Sequence, residues 1–231
     1  MKQGIGDRMK FNYEEAYKIR MPIRLPVIVR IDGKTFHSFT RKMERPFDEG
    51  FIESMAELTK YLCEQTHTAQ IGYVQSDEIS ILLHNYKKLD TSPYFANEVQ
   101  KIASISAGLA SSWFSLKYGR EAVFDARCFV LPEAEVVNYF IWRQQDASRN
   151  SIAMVAQSKF SPKELHKKNT NEMQEMMFQK DGTNWNDLGT YKKRGISVIK
   201  SSEGGWKIDK DIPLFTENRG YIEDLLAEDE S

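Results

Sequence analysis

Carboxylates stand at the ends of two strand-like stretches of the sequence. Asp32 and Gly33 follow an apolar, β-branched run, and Asp77 and Glu78 stand in a short turn between two further apolar runs. Carboxylates that converge are suited to a pair of Mg²⁺ ions, whose remaining ligands are water and substrate phosphates. These residues could therefore support phosphoryl or nucleotidyl transfer. Taken separately, Asp-Gly after a strand also makes an ordinary turn, and Ser-Asp-Glu an ordinary polar loop.

The residues after Asp32 could bind phosphate. Gly33 would let a phosphate approach the backbone closely, and the N–H groups from Lys34 to His37 could form an anion-binding nest. Other catalytic patterns are weaker, because the sequence has no Gly-x-Ser-x-Gly turn and no glycine-rich phosphate loop. Cys63 and Cys128 are too far apart in sequence for a Cys-x-x-Cys metal site.

The elements that must position these residues can be predicted from hydrophobic spacing, capping residues and turn residues. In chain order they are a strand over 25–31, a helix over 48–65, a hairpin with strands 69–74 and 79–83, a helix over 92–118 and a strand over 122–131. This is the βαββαβ order of a ferredoxin-like α+β fold, an antiparallel sheet backed by helices. Pro132 then opens a further helix.

The ferredoxin-like order predicts where the carboxylates meet. The first and third strands are neighbours that run in opposite directions, so the end of the first lies beside the start of the third. Asp32 is therefore expected beside Asp77 and Glu78, although these carboxylates are far apart in the sequence. The prediction depends on the topology, because nothing in the local sequence brings the two segments together.

Composition narrows the class of protein. The chain has 231 residues, of which 41% are hydrophobic and 28% charged, and its apolar runs are shorter than the roughly 20 residues of a membrane span. The first 20 residues resemble neither a secretory signal nor a transit peptide. We therefore expect a cytoplasmic protein without a membrane partner. The net charge of −1 argues against binding nucleic acid by bulk charge alone.

The charges are distributed unevenly along the chain. Between residues 141 and 210 there are 13 Lys+Arg against 8 Asp+Glu, a pattern typical of a solvated helix face and also of a phosphate-binding surface. We predict three parts: a nucleotide- and metal-binding core over 1–132, a mostly helical, basic extension over 133–215 for RNA or subunit contacts, and an acidic, disordered tail over 216–231. The basic residues of interest are Lys159, Lys163, Lys167, Lys168, Lys192, Lys193 and Arg194.

Four segments carry recognisable motifs. They are Arg-Ile-Asp-Gly-Lys-Thr-Phe-His at 30–37, Gly-Tyr-Val-Gln-Ser-Asp-Glu-Ile-Ser at 72–80, Phe-Asp-Ala-Arg at 124–127 and Tyr-Phe-x-Trp-Arg-Gln-x-Asp at 139–146, with a fainter match over 191–195. Together they resemble the tRNA-histidine guanylyltransferase family, whose members extend RNA 5′ ends in the 3′-to-5′ direction. The resemblance spans residues 25–200.

The resemblance implies a catalytic core like the palm of ordinary polymerases, with which the derived strand order agrees. It implies two Mg²⁺ ions held by Asp32, Asp77 and the Gly33 carbonyl, with Glu78 at the edge of the metal site, and tRNA and GTP or ATP as substrates. It also implies a homo-oligomer, as a tetramer. The residues expected to bind the nucleotide are Asp32, Gly33, Lys34, Thr35, Phe36, His37, Ser76 and Asp77, with Arg45 and Lys101 as looser alignments to triphosphate contacts.

One departure from the family pattern bears on the substrate. Eukaryotic members carry His-Ile-Asn-Asn-Leu-Tyr-Asn after the Trp-Arg-Gln helix, whereas this chain has Ser-Arg-Asn-Ser-Ile-Ala-Met at 148–154. In this respect the chain resembles the guanylyltransferase-like branch of bacteria and archaea. For that branch the family resemblance implies template-dependent repair of 5′-truncated tRNAs. The alternative within the family is dedicated addition of G−1 to tRNA-His.

Two interpretations outside this reaction also remain. A nucleotide cyclase of related palm fold would use the same two-metal chemistry, but the chain has Gln-Ser-Asp-Glu-Ile at 75–79 where that group has Gly-Gly-Asp-Glu-Phe. A non-catalytic RNA-binding protein would not need both Asp32 and Asp77. Assay of labelled GTP with a 5′-truncated tRNA separates all of these interpretations.

Overall fold

An antiparallel sheet of six strands forms the centre of the computed structural model, which describes residues 4–88 and 90–227. The strands are β1 (Val27–Gly33), β2 (Ala69–Gln75), β3 (Glu78–Leu83), β4 (Phe124–Val130), β5 (Ile196–Lys200) and β6 (Trp206–Asp209). They lie in the order β4-β1-β3-β2-β5-β6, and every neighbouring pair is antiparallel. The first four strands have the predicted ferredoxin-like order, so the fold class is confirmed.

Helices cover both faces of this sheet. The α-helices of the described chain are α1 (Ile5–Met9), α2 (Phe36–Phe39), α3 (Glu49–Glu64), α4 (Val99–Tyr118), α5 (Glu133–Gln157), α6 (Pro162–Leu165), α7 (Thr170–Asp181), α8 (Thr190–Arg194) and α9 (Gly220–Glu223), of which α3 and α4 pack on one face and α5 on the other. Asp48 caps α3 as predicted, because its carboxylate accepts a hydrogen bond of 2.8 Å from the Phe51 amide. Among the described residues, no helix is long and apolar enough to cross a membrane.

Alternating side chains of β1 supply both cores. Val29 and Ile31 pack with α3 and α4 on one face of the sheet, and Ile28 packs with α5 and the C-terminal segment on the other. Helix α3 approaches β2 closely at Gly72, where a Cβ atom would meet the Thr59 side chain at 2.5 Å and Cys63 Sγ at 2.7 Å. The second half of α5 forms a third, smaller core with α6 and α7.

Three features differ from the sequence-based expectations. Helix α4 begins at Val99 rather than near Ser92, because Phe95, Ala96 and Asn97 have positive φ angles of 47°, 51° and 57° that interrupt a right-handed helix. The side-chain amide of Asn97 instead donates a hydrogen bond of 2.9 Å to the Pro22 carbonyl, which ties down the N-terminal segment. The helical extension also contributes strands β5 and β6 to the sheet.

The third difference concerns the acidic tail. The charge pattern predicts disorder over residues 216–231, but up to residue 227 this stretch contains α9 and a short 3₁₀ turn (Asp224–Leu226). Ile222 is fully buried and Leu226 nearly so, both in the core beneath α5. Burial of these two apolar side chains outweighs the effect of the surrounding charge. Residues 228–231 lie outside the described residues.

Candidate active site

Two strand ends meet at one edge of the sheet. Asp32 and Gly33 end β1, and Ser76 and Asp77 form the two-residue loop of the β2–β3 hairpin. Strands β1 and β3 are paired so that Asp32 lies opposite Glu78, and the Gly33 amide donates a hydrogen bond of 3.1 Å to the Asp77 carbonyl. The predicted juxtaposition of the two segments is therefore present.

The Asp77 carboxylate lies in an environment that disfavours its charge. Burial raises its pKa above the ordinary value, and the neighbouring charge of Asp32 raises it further. The Ser76 hydroxyl donates a hydrogen bond of 3.1 Å to Asp77 Oδ1, which acts in the opposite direction. A cation bound beside these two carboxylates would offset the unfavourable charge.

Gly33 leaves space that a larger residue would fill. A Cβ atom at this position would lie 2.9 Å from Asp77 Oδ2 and 2.4 Å from the Phe36 ring. Gly33 thus lets the carboxylate of one strand end approach the backbone of the other. Among the described residues, no group of three or more His, Cys, Asp or Glu side chains is arranged to hold a metal. Two carboxylates and a carbonyl nevertheless suit Mg²⁺, which commonly uses one or two carboxylates together with substrate phosphates.

Glu78 has a different environment from the two aspartates. Its side chain is buried, and its carboxylate forms ion pairs with Arg30 of β1 and with Arg143 of α5. Arg143 is itself 2% exposed and also contacts Asp146 at 2.5 Å. The predicted place of Glu78 beside Asp32 is correct, but its oxygens are already bonded to two guanidinium groups. The sequence-based prediction did not include these arginine partners of Glu78.

The loop that follows Gly33 supports only part of the expected anion nest. The Lys34 amide already donates a hydrogen bond of 2.8 Å to the Val123 carbonyl. The amides of Thr35, Phe36 and His37 stand at the start of α2, where a helix provides no internal partners. The Phe36 side chain is 3% exposed and packs in the core, with its ring centroid 4.7 Å from that of Phe124. Phe36 can therefore offer a nucleotide only its backbone.

A cavity of about 360 Å³ opens beside the hairpin loop. Its volume falls within the range of small-molecule sites. Its walls come from the loop before α3, the end of β2, the second half of α5 and helix α8. The polar lining residues include His37, Arg45, Gln75, Ser76, Asn150, Tyr191 and Lys192. Three of these, His37, Arg45 and Ser76, are predicted nucleotide contacts.

The sequence did not reveal the contribution of α5 and α8 to this cavity. Asn150 and Ser151 line it from α5, and Tyr191 and Lys192 line it from α8. Lys192 contacts Glu49 at 2.5 Å, and this hydrogen bond raises the pKa of Lys192. The faint motif match over 191–195 is the one signal in the sequence for the contribution of α8. No local sequence pattern shows that four separate segments enclose one cavity.

Lys101 does not lie near the carboxylates or the cavity of its own chain. Its ammonium group contacts the Phe95 ring near the start of α4. The part of α4 that reaches the site is Ser111, whose hydroxyl accepts a hydrogen bond of 2.9 Å from the Phe124 amide. Lys101 and Ser111 are ten positions apart on the helix, which corresponds to about 15 Å along its axis. The alignment of Lys101 to a triphosphate contact therefore has no support in the geometry of one chain.

Several lysines of the basic extension are already paired. Lys159 contacts Asp181 at 2.5 Å, and Lys168 contacts Glu172 at 3.0 Å. Hydrogen bonds from Lys159 and Thr183 lower the pKa of Asp181 to about 2. Within the described ranges, Lys163 and Lys167 form no ion pair, and both are exposed.

Comparison with known protein families gives a match over residues 6–132 to the model for tRNAHis guanylyltransferase. The tRNA(His) guanylyltransferase of Saccharomyces cerevisiae is 27% identical over 222 residues, which are 84% of this chain and 91% of that protein. A probable tRNA(His) guanylyltransferase of Dictyostelium discoideum is 28% identical over 75% of both chains.

Solved structures give a similar result. A bacterial tRNA(His) guanylyltransferase-like protein in complex with ATP is 47% identical, with a TM-score of 0.93, over 98% of this chain and 100% of that chain. A bacterial protein of the same description in complex with GTP is 46% identical, with a TM-score of 0.85, over 96% of this chain and 98% of that chain.

Proposed function

The chain belongs to the tRNAHis guanylyltransferase family of nucleotidyltransferases, and we propose that it repairs 5′-truncated tRNAs by adding nucleotides in the 3′-to-5′ direction under template control. One observation carries the proposal. Asp32 and Gly33 lie beside the hairpin loop of Ser76 and Asp77, and Ser76 of that loop lines a cavity of about 360 Å³, which is within the size range of small-molecule sites. The two bacterial relatives were solved in complex with ATP and with GTP, which supports nucleotide binding by this chain.

Two Mg²⁺ ions fit the donors at this edge of the sheet. Asp32, Asp77 and the Gly33 carbonyl would hold them, because the two carboxylates lie close enough for one to raise the pKa of the other. Bound Mg²⁺ would lower the pKa of the attacking 3′-hydroxyl and neutralise charge on the leaving phosphates. Glu78 would act through its ion pairs with Arg30 and Arg143, which fix the hairpin that carries Asp77.

The surrounding residues would bind and orient the nucleotide. Arg45, Lys192 and His37 border the cavity and would contact the triphosphate or the ribose. The amides of Thr35 and His37 stand free of the helix they begin and would donate hydrogen bonds to phosphate oxygens. All four nucleoside triphosphates have the same triphosphate and ribose, so these contacts would not distinguish the bases. The choice of base would be left to the template strand of the tRNA.

Ser148 supports repair over dedicated addition of G−1. It stands where the eukaryotic relatives carry the histidine of their His-Ile-Asn-Asn motif, and its hydroxyl is hydrogen-bonded to the carbonyls of Gln144 and Lys193, at 3.1 and 3.0 Å. A short hydroxyl engaged with two carbonyls is poorly placed to select one particular base. In this assignment residues 1–132 carry the metal contacts and, apart from Lys192, the nucleotide contacts, and residues 133–215 also contact RNA and the other subunits of a homotetramer.

The experiment is a transfer assay with labelled GTP and a tRNA that lacks its first 5′ nucleotide. Label attached to the tRNA only where the opposite base is C supports templated repair. Addition of G beyond a full-length tRNA-His would indicate dedicated guanylyltransfer. A cyclic nucleotide would indicate a cyclase, and tRNA binding without any product would indicate an RNA-binding protein.

A further inference from the structure

The N-terminal arm of the chain, residues 5–19, is helical over most of its length and contains no buried residue. Its helical turns continue without a break from Ile5 to Tyr17. An isolated helix shorter than about 12–15 residues is only marginally stable in water, because most helical stability in proteins comes from packing of an apolar face. A helix of this length therefore needs a packing partner, which the rest of the described chain does not supply.

One side of this helix is apolar. Its large apolar side chains recur every four residues and so form one stripe; they are Ile5, Met9, Tyr13 and Tyr17. These four are 43–75% exposed, and Phe11 and Ile19 of the same arm are 63% and 64% exposed. A large apolar side chain presents about 150–250 Å² when it is free, so these six together present roughly 700 Å². Each partner in a standard protein–protein interface buries about 800 Å², so the arm supplies most of one side of such an interface.

The arm leaves the body of the protein at a fixed point. The Val99 amide, at the start of α4, donates a hydrogen bond of 2.9 Å to the Ile19 carbonyl. Just beyond the arm, the Met21 amide donates a hydrogen bond of 3.0 Å to the Asn97 carbonyl. Because the base of the arm is already ordered, less conformational entropy would be lost when a partner binds the apolar stripe.

The charges of the arm cancel. It has three basic and three acidic residues, which are Asp7, Arg8, Lys10, Glu14, Glu15 and Lys18. An arm without net charge is poorly suited to RNA phosphates or to an anionic membrane, both of which attract basic segments. A protein surface is therefore the better partner for the stripe.

The order of these charges makes the arm complementary to itself. Lys10 and Glu14 are four residues apart and share one side of the helix, and Arg8 and Glu15 are seven apart and share another. Arg8 and Lys10 form no ion pair with the described residues, and the Glu14 side chain is 68% exposed. Two antiparallel arms bring matching sides together, so Lys10 of each would meet Glu14 of the other, and Arg8 would meet Glu15.

We propose that the N-terminal arm binds the same arm of a second copy of this chain, with the two arms antiparallel along their apolar stripes. When Met9 lies opposite Tyr13 in this arrangement, Ile5 lies opposite Tyr17, so each residue of the stripe faces another apolar residue. The contact lies outside residues 133–215, for which the sequence predicts subunit contacts. Its formation requires neither nucleotide nor RNA, so its test is independent of the proposed function.

The first test measures mass by sedimentation equilibrium. The unmodified protein should form a dimer or a larger even-numbered assembly. Tyr13→Ser/Tyr17→Ser should halve this mass and raise the dissociation constant at least about 30-fold, the effect of losing one central interface aromatic. Phe178→Ser is the matched control, because Phe178 is 59% exposed on α7, and its loss should leave the mass unchanged. Both variants should keep a cooperative unfolding transition, because the replaced side chains are exposed.

The second test reverses charges to identify the partner as the same arm. Arg8→Glu/Lys10→Glu and Glu14→Lys/Glu15→Lys should each stay at the lower mass, because like charges then meet across the contact. Mixed in equal amounts, the two variants should associate with each other, since every reversed residue now faces an opposite charge. A partner of any other kind would not give this recovery.

Three results would each overturn the proposal. They are an unmodified protein that stays monomeric at all concentrations, a Tyr13→Ser/Tyr17→Ser protein of unchanged mass, and charge-reversed variants that do not associate when mixed. Unchanged mass together with weaker binding of tRNA or of anionic lipid vesicles would assign the arm to RNA or to a membrane instead.

Discussion

Arg143 Nη1 lies 3.1 Å from Glu78 Oε1 and joins the middle of helix α5 to the first residue of β3. Both side chains are buried, and this ion pair directly links the helix to the hairpin that carries Asp77. Removing one partner of a buried pair leaves the other charged and unpaired, which is strongly unfavourable. The position of Asp77 thus depends on a residue far along the chain.

Arg143→Leu should lower the free energy of unfolding by at most about 3–5 kcal/mol, because Glu78 would keep only Arg30 as an ion-pair partner and Asp146 only Arg149. The double variant Arg143→Leu/Glu78→Gln should be less destabilised than the sum of the two single variants, since each single variant already removes the ion pair between these two side chains. Urea unfolding of the four proteins measures the coupling. Strict additivity would contradict a direct interaction between the two side chains.

Asp32→Asn and Asp77→Asn should each abolish nucleotide addition, with a loss of several orders of magnitude, while the fold remains intact. The amide keeps the size of the side chain but removes a charged ligand for Mg²⁺. Asp125→Asn is the control, because Asp125 lies beside Asp32 on β4 but is exposed and paired with Arg127. A folded Asp77→Asn protein within about tenfold of normal activity, or about 1.4 kcal/mol in the barrier, would rule out the two-metal assignment.

His84 should make the protein less stable as the pH falls below 6.5. Burial lowers the pKa of His84, and its Nε2 atom lies 3.0 Å from the Leu226 carbonyl. Below the ordinary pKa the unfolded chain takes up a proton that the folded protein refuses, so stability falls with pH by at most about 1.4 kcal/mol per unit. The fall ends at the lowered pKa of the folded protein.

His84→Gln provides the comparison, because its amide can still donate to the Leu226 carbonyl but cannot titrate. Thermal unfolding at pH 7.5 and pH 5.5 should show a smaller loss of stability in this variant than in the unmodified protein. Equal losses in both proteins would assign the pH dependence to other groups.

Lys163 and Lys167 are exposed lysines of the basic extension with no ion pair in the described structure, and we expect them to bind tRNA phosphates. Replacing both by Ala should weaken tRNA binding and flatten the slope of log K against log salt by about 0.7–0.9 for each phosphate that is no longer neutralised. The control is Lys60→Ala/Lys117→Ala, which changes the charge equally on α3 and α4. An unchanged slope for Lys163→Ala/Lys167→Ala would leave these lysines as a solvated surface.

Base choice should follow the template. Four tRNAs that lack the first nucleotide and differ only in the opposite base should each receive the complementary nucleotide, and addition should stop when the stem is complete. The physical reason is that the site near Asp32 and Asp77 contacts groups common to all nucleotides. Competition among the four nucleoside triphosphates measures the preference. Addition of G regardless of the template base would instead support dedicated addition of G−1 to tRNA-His.

The meeting of Asp32 with Asp77 could be predicted from the sequence because it follows from the order of strands and helices. The arginine partners of Glu78 could not, since Arg143 lies 65 residues away and reaches the hairpin only after α5 packs on the sheet. Residues 95–97 adopt the left-handed backbone conformation, and none of them is a glycine, the residue type that would have predicted it. Strands β5 and β6 have only five and four residues, too few for a period of two to stand out.

Strand β5 pairs with β2 across a long interval of sequence, and the Tyr73 hydroxyl meets the Arg194 carbonyl 121 residues further along the chain. Closing such an interval costs entropy before any contact repays it, so this pairing should be among the slowest steps of folding. The cost grows only with the logarithm of the interval, by about 0.6 kcal/mol for each doubling. Extra residues inserted between α7 and α8 should therefore slow refolding more visibly than they lower the melting temperature.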